Sequence, residues 1–334
     1  MINNWTRKIQ IAEYPSSIIT SKNKDIRKES PKYEKDIYIT FFQLLISIAK
    51  SVLTRADVYT PITSAFARSY VTTIPFMLDD KDGYLAINYN NKDILRDFSK
   101  STRHGEIAQG INYYLAKDII GAYAIYDFKD YVNRVLGKKE KWVGRIPDYI
   151  LCYPDGSVGI LESKGIVCAD PTFYIKSANE QCENGKRYVA AKNSYSSVVS
   201  FSSTSKRNKR YTKIHFGDPQ ESNYLLSTDV SKNHLYEYSK WFYLLDYEIA
   251  TEKLRKGQCL NEEDLYTNKD TWNDNKGNRI LDVWRLSENK SLEIGITQSL
   301  QYALFSRDFT DIKINKEISN DEEYFDDGFF LRLC

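Results

Sequence analysis

The segment GRIPDYILCYPDGSVGILESKG, residues 144–165, constrains the fold of this chain more than any other stretch. Residues 149–153 and 157–161 are apolar, β-rich runs on either side of Pro154-Asp155-Gly156. Two such runs around a turn tripeptide read as a β-hairpin. Pro suits the first central position of a type I turn, Asp the second, and Gly the left-handed position that follows. The expected result is a three-residue loop with a bulge, closed by Tyr153 and Ser157. Counting back along both strands sets Asp148 opposite Glu162. Opposed residues share a face, with Cα atoms roughly 4.5–5.5 Å apart. Lys164 is two residues beyond Glu162 and projects to the same side. A two-residue loop would send Asp148 to the other face, so the turn type decides whether the three groups meet.

Two close carboxylates repel and must pair with cations or shift their pKa values. A divalent ion resolves the conflict. Mg²⁺ takes oxygen ligands, accepts one or two carboxylates, and leaves its remaining positions to water and phosphate. Beside such an ion, a lysine can orient water or stabilise charge that develops on phosphorus.

Pro147-Asp148 followed by Glu162-Ser163-Lys164 resembles the PD-(D/E)xK nuclease superfamily, which includes many restriction endonucleases and recombination exonucleases. The resemblance implies an α/β, restriction-endonuclease-like mixed β-sheet core flanked by helices. It implies a Mg²⁺-dependent nuclease acting on DNA, with Mn²⁺ as a substitute and restriction or anti-phage defence as the setting. The implied metal ligands are Asp148, Glu162 and the carbonyl of Ser163. A non-catalytic DNA-binding or assembly module of the same fold and a ribonuclease are the alternatives. A homodimer or a partner defence protein stays open. The string alone is loose, and the hairpin register is the context that tests it.

The helix expected at 101–117 carries Ile107, Ile111 and Leu115 as a buried stripe, with Glu106 on the neighbouring stripe. Many members of the superfamily carry an acid on the helix before the hairpin, and Glu106 matches it as a second metal ligand or support for a metal-bound water. The bland alternative is a first-turn glutamate that complements the helix dipole. After the hairpin, Asp170-Pro171 reads as a helix start, with the helix running to about Val189. It carries Lys176 and Gln181, candidates for phosphate contact and for the site. The glutamine–tyrosine spacing of the exonuclease-like branch is not reproduced. Lys206, Arg207, Lys209 and Arg210, followed by Lys213, form a basic loop suited to phosphates. A solvated loop is the plain alternative.

With 47 Lys and Arg against 45 Asp and Glu, the net charge is only +2, so any basic surface must be local. Hydrophobic residues make up 42%, enough for a sizeable core. The five cysteines form no CxxC pair, and the three histidines form no metal motif. Buried thiols and a cytoplasmic location are expected. The apolar run at 37–49 is too short to span a bilayer, so no membrane partner is expected. No phosphate-binding P-loop is present. The expected organisation is a partly helical extension at 1–100, a nuclease core at 101–220, and a mostly helical region at 221–334. Within these, residues 36–54 read as one helix and residues 235–256 as another that stops at Gly257. The acidic run at 321–327 reads as a solvated tail, with occupation of a basic groove in place of nucleic acid as the alternative.

Overall fold

The computed structural model describes residues 4–21, 24–54, 60–73, 77–88, 97–138, 141–167, 170–202, 211–217, 229–266, 271–287, 289–309, 312, 319 and 321–334. In chain order the elements begin with β1 (Thr6–Tyr14), α1 (Ser16–Ile19), β2 (Tyr33–Thr40), α2 (Phe41–Leu53), α3 (Pro61–Thr73), β3 (Leu78–Lys81) and β4 (Tyr84–Ile87). Then come α4 (Asp97–Tyr114), β5 (Ala124–Asp127), α5 (Phe128–Asp130), β6 (Tyr149–Cys152), β7 (Val158–Val167), α6 (Pro171–Gly185), β8 (Asn193–Phe201) and β9 (Lys213–Gly217). The rest are α7 (Val230–Leu244), α8 (Glu248–Arg255), β10 (Trp272–Asn273), β11 (Arg279–Ser287), β12 (Lys290–Ile296), α9 (Gln298–Ser306), β13 (Glu322–Tyr324) and β14 (Phe329–Leu333).

A nine-stranded mixed sheet runs β3-β4-β1-β9-β8-β7-β6-β5, and β2 pairs with β1. The parallel pair β7 and β8 is joined through α6, a βαβ crossover. Side chains alternate between the two faces. Leu161, Val199 and Ile214 pack into a core shared with Ile107 and Ile111 of α4 and Leu44 and Ile48 of α2. On the other face, Ile166 and Val198 pack with Ile175 of α6, while Ile150 and Ile160 pack with Cys182 of α6. The architecture is therefore α/β, with a large mixed sheet flanked by helices.

Several sequence expectations need correction. Residues 36–39 are strand, not helix. The helix begins only after Thr40, whose hydroxyl accepts from Gln43 N–H at 3.1 Å while its own N–H donates to Gln43 Oε1 at 2.9 Å. This capping box fixes the boundary. The N-terminal region is partly helical, in α2 and α3, but its β1–β4 belong to the main sheet, so it is part of that layer rather than an extension. The expected 235–256 helix is two helices, α7 and α8, broken where Asp246 adopts a φ of 62°. Gly257, at φ 74°, does end α8. The C-terminal region carries a second, five-stranded antiparallel sheet, β10-β11-β12-β14-β13. The acidic run is no solvated tail, since it contains β13 and Asp327 accepts from Lys50 Nζ at 2.9 Å and Trp241 Nε1 at 2.7 Å. Cys152 and Cys182 are buried thiols, but Cys334 is exposed. Among the described residues, no helix is long and apolar enough to cross a membrane.

Candidate active site

The β6–β7 hairpin has the expected register. Tyr149 faces Leu161 and Cys152 faces Val158. Tyr153 N–H donates to Ser157 O at 2.9 Å, Gly156 N–H donates to Tyr153 O at 2.9 Å, and Gly156 sits at φ 79°. Asp155 Oδ1 accepts from Ser157 N–H at 2.9 Å, which holds the loop from inside. One step beyond the last pair, Asp148 falls opposite Glu162. Ser163 N–H donates to Asp148 Oδ2 at 3.2 Å, so the aspartate is anchored to the strand that carries Glu162.

The arm that leads into Asp148 is braced by the last turn of α6. A Cβ on Gly185 would lie 2.6 Å from Pro147 Cγ, so the glycine lets the helix touch the proline. Asn184 Nδ2 donates to Arg145 O at 3.2 Å. Asp170 starts the helix as expected, accepting from Thr172 N–H at 2.9 Å ahead of Pro171.

Glu162 is 1% exposed. Lys164 Nζ pairs with its Oε1. Its Oε2 is buried and has no hydrogen-bond partner among the described residues. Burial and the Asp148 carboxylate push the Glu162 carboxyl well above the usual range, and the Lys164 ammonium only partly offsets them. Cys182 of α6 lies near Glu162, and its thiol is raised by burial and then by that carboxylate.

The donor set suits a hard divalent ion. It offers two carboxylates and a backbone carbonyl, and one carboxylate has a buried oxygen without a hydrogen-bond partner among the described residues. Among the described residues, no group of three or more His, Cys, Asp or Glu side chains is gathered for a metal. Side-chain donors would therefore number two, a count typical of Mg²⁺, which keeps several waters. Ser163 could contribute only through its main chain. Its hydroxyl accepts from Asn112 Nδ2 of α4 at 2.7 Å, on the opposite face of the sheet.

Glu106 also belongs to that opposite face. The α4 backbone lies against β7 at Gly165, where a Cβ would approach Ala108 Cβ to 2.6 Å and His104 O to 2.9 Å. The Glu106 carboxylate pairs with Arg103 at 3.2 Å. Gln181 is buried on α6 and lines a cleft of about 720 Å³ together with Asp148. Lys176 lies on α6, and its Nζ donates to Lys24 O at 2.7 Å. Lys213, at the start of β9, pairs with Glu34. Lys206, Arg207, Lys209 and Arg210 lie outside the described residues.

Sequence reasoning missed Arg145. Its guanidinium has no hydrogen-bond or ion-pair partner among the described residues, and it lines the cleft beside Asp148. The signal was its place three residues before the aspartate, inside the same hairpin arm. Comparison with protein-family models, curated proteins and solved structures finds no match to this chain.

Proposed function

We propose that this chain is a Mg²⁺-dependent nuclease of the PD-(D/E)xK type that hydrolyses phosphodiester bonds in DNA. The observation that carries the reading is Glu162: buried, facing Asp148, paired with Lys164 through one oxygen and, among the described residues, without a hydrogen-bond partner for the other. An ion held by Asp148, Glu162 and the Ser163 carbonyl would supply positive charge beside the scissile phosphate.

The protein's own groups do the rest. Asp148 and Glu162 are held in register by the hairpin, so no loop must move to assemble them. Lys164 is a donor only, and its ammonium pairs with the buried carboxylate while the side chain stays partly exposed. It can orient the attacking water or neutralise charge on a non-bridging oxygen. Gln181 brings an amide to the same cleft and can hold a phosphate oxygen.

The test is direct. Plasmid, linear duplex, single-stranded DNA and RNA are incubated with the purified chain, with Mg²⁺ or with chelator. The reading predicts Mg²⁺-dependent cleavage of at least one DNA. It also predicts a loss of about 10²-fold or more in Asp148→Ala, Glu162→Gln and Lys164→Ala. Wild-type rates in Asp148→Ala would overturn it, and binding without hydrolysis would favour the non-catalytic module.

A further inference from the structure

The cleft beside Asp148 continues past Arg145 and Gln181 into a second groove. The first, about 720 Å³, is lined by Asp148, Trp142, Arg145 and Gln181 among others. The second, about 460 Å³, is lined by Arg145, Gln181, Phe173, Lys176, Ser177 and Glu180, with Asn184 at its edge. Arg145 and Gln181 line both grooves and so form the saddle between them.

The second groove has an unusual wall. Phe173, on the first turn of α6, is 72% exposed, and its ring contact among the described residues is Tyr174, edge-on with ring centroids 5.6 Å apart. Its ring is therefore open to a further planar partner. Two cations, Arg145 and Lys176, line the same groove against a single acid, Glu180. An aromatic face beside the Arg145 guanidinium, which has no partner among the described residues, is the arrangement that takes one unpaired nucleotide, with the base on the ring and the phosphate on the guanidinium. A base inside a duplex has both faces covered by its neighbours and cannot use the ring.

We infer that the groove between Phe173 and Arg145 is a subsite for an unpaired nucleotide next to the scissile phosphate, so that the favoured substrate has single-stranded character at the cleavage point. The inference rests on the nuclease reading for the identity of the neighbouring site, but its chemistry is binding and can be tested without hydrolysis. Phe173 stacks the base. Arg145 holds the phosphate that passes over the saddle and so sets which bond reaches Asp148 and Glu162.

The experiment measures binding of a labelled single-stranded DNA oligonucleotide and of a blunt duplex in chelator, by fluorescence anisotropy. The wild type is compared with Phe173→Ala, Arg145→Ala and, as a control, Ile249→Ala, an equally open apolar side chain on α8 at 64% exposure. Phe173→Ala is expected to weaken single-strand binding roughly five- to hundredfold, the range for losing one base–aromatic stack, and to leave duplex binding nearly unchanged. Arg145→Ala is expected to weaken binding of both and to reduce the single-strand salt slope by about 0.7. Ile249→Ala should match the wild type. The subsite is overturned if the wild type does not bind the oligonucleotide, if Phe173→Ala binds it as the wild type does, or if Phe173→Ala costs duplex and single strand equally. Cleavage in Mg²⁺ separates the two ideas. Hydrolysis with Phe173-independent binding removes only the subsite, whereas Phe173-dependent binding without hydrolysis removes only the nuclease reading.

Discussion

Glu162 and Glu237 are both nearly fully buried, at 1% and 2% exposure, yet their surroundings differ in kind. Glu237, on α7, is surrounded by donors. It accepts from Tyr113 Oη at 2.5 Å, Lys240 Nζ at 2.7 Å and Ile125 N–H at 3.3 Å, with Lys50 at 3.7 Å and Lys117 at 3.9 Å. Burial alone would raise its carboxyl, but Lys240, Lys117 and Lys50 overcome that effect and hold it below the usual range. Lys240 is pulled down to about 8 by burial, against the attraction of Glu237. Glu162 has one cation, one opposing carboxylate and one oxygen with no described partner. The first glutamate ties α7 to α2, α4 and β5. The second is short of positive charge, which is the condition a catalytic metal site needs before the metal arrives.

Removing each carboxylate should therefore act in opposite directions. The largest effect is expected for Glu237→Ala, which leaves Lys240 buried without its counter-charge, while Lys50 keeps Asp327. Denaturant unfolding should show a loss of about 3–5 kcal/mol, and a loss below about 1 kcal/mol would mean that the network is not a structural tie. Its contribution also has a definite pH sign. The folded carboxyl titrates below its ordinary value of 4.5, so the stability is present above that pH and is lost as pH falls through the acid range. Replacing Glu237 should flatten that acid limb.

The next effect concerns the ion. Mg²⁺ should stabilise the wild type by mass action, about 2.7 kcal/mol at a hundredfold excess over Kd, and should not stabilise Glu162→Gln. Equal stabilisation of both would place the ion elsewhere. Smaller again, Glu162→Gln should make the metal-free protein more stable by about 1 kcal/mol. It removes a buried charge that faces Asp148, at the cost of the Lys164 pair. A clear destabilisation would mean that the Lys164 pair outweighs burial and repulsion, and the contrast between the two glutamates would fail.

These regions also differ in how far the sequence disclosed them. The Glu162 site was legible because its geometry is local: Pro154-Asp155-Gly156 sets the turn, the turn sets the register, and the register sets Asp148 against Glu162. The cap at Asp170-Pro171 was legible for the same reason. The Glu237 network was not, since Lys50 and Asp327 are 277 residues apart and neither carries a local sign of its partner. The acidic run around Asp327 therefore read as solvated. The strands outside the hairpin left a weaker signal. In β1, buried Ile9 and Ile11 alternate with half-buried Lys8 and Gln10, and in β12, buried Leu292 and Ile294 flank half-buried Glu293. Period-two alternation was there to read, but the pairing partners were distant in the chain.

Glu106 gives the smallest expected effect. It lies on the α4 face and pairs with Arg103, so Glu106→Gln should change stability by no more than about 0.5 kcal/mol. Hydrolysis in the variant should stay close to wild type. A large loss of turnover would bring Glu106 into the site after all.

The central claim is that Glu162 and Asp148 form a divalent-ion site, and Mn²⁺ binding followed by electron paramagnetic resonance of the unbound ion tests it without any substrate. The account predicts that the wild type and Glu106→Gln take up Mn²⁺ alike, that Mg²⁺ competes for the same site, and that Glu162→Gln and Asp148→Asn lose it. Undiminished Mn²⁺ uptake by Glu162→Gln, or no uptake by the wild type, would contradict it.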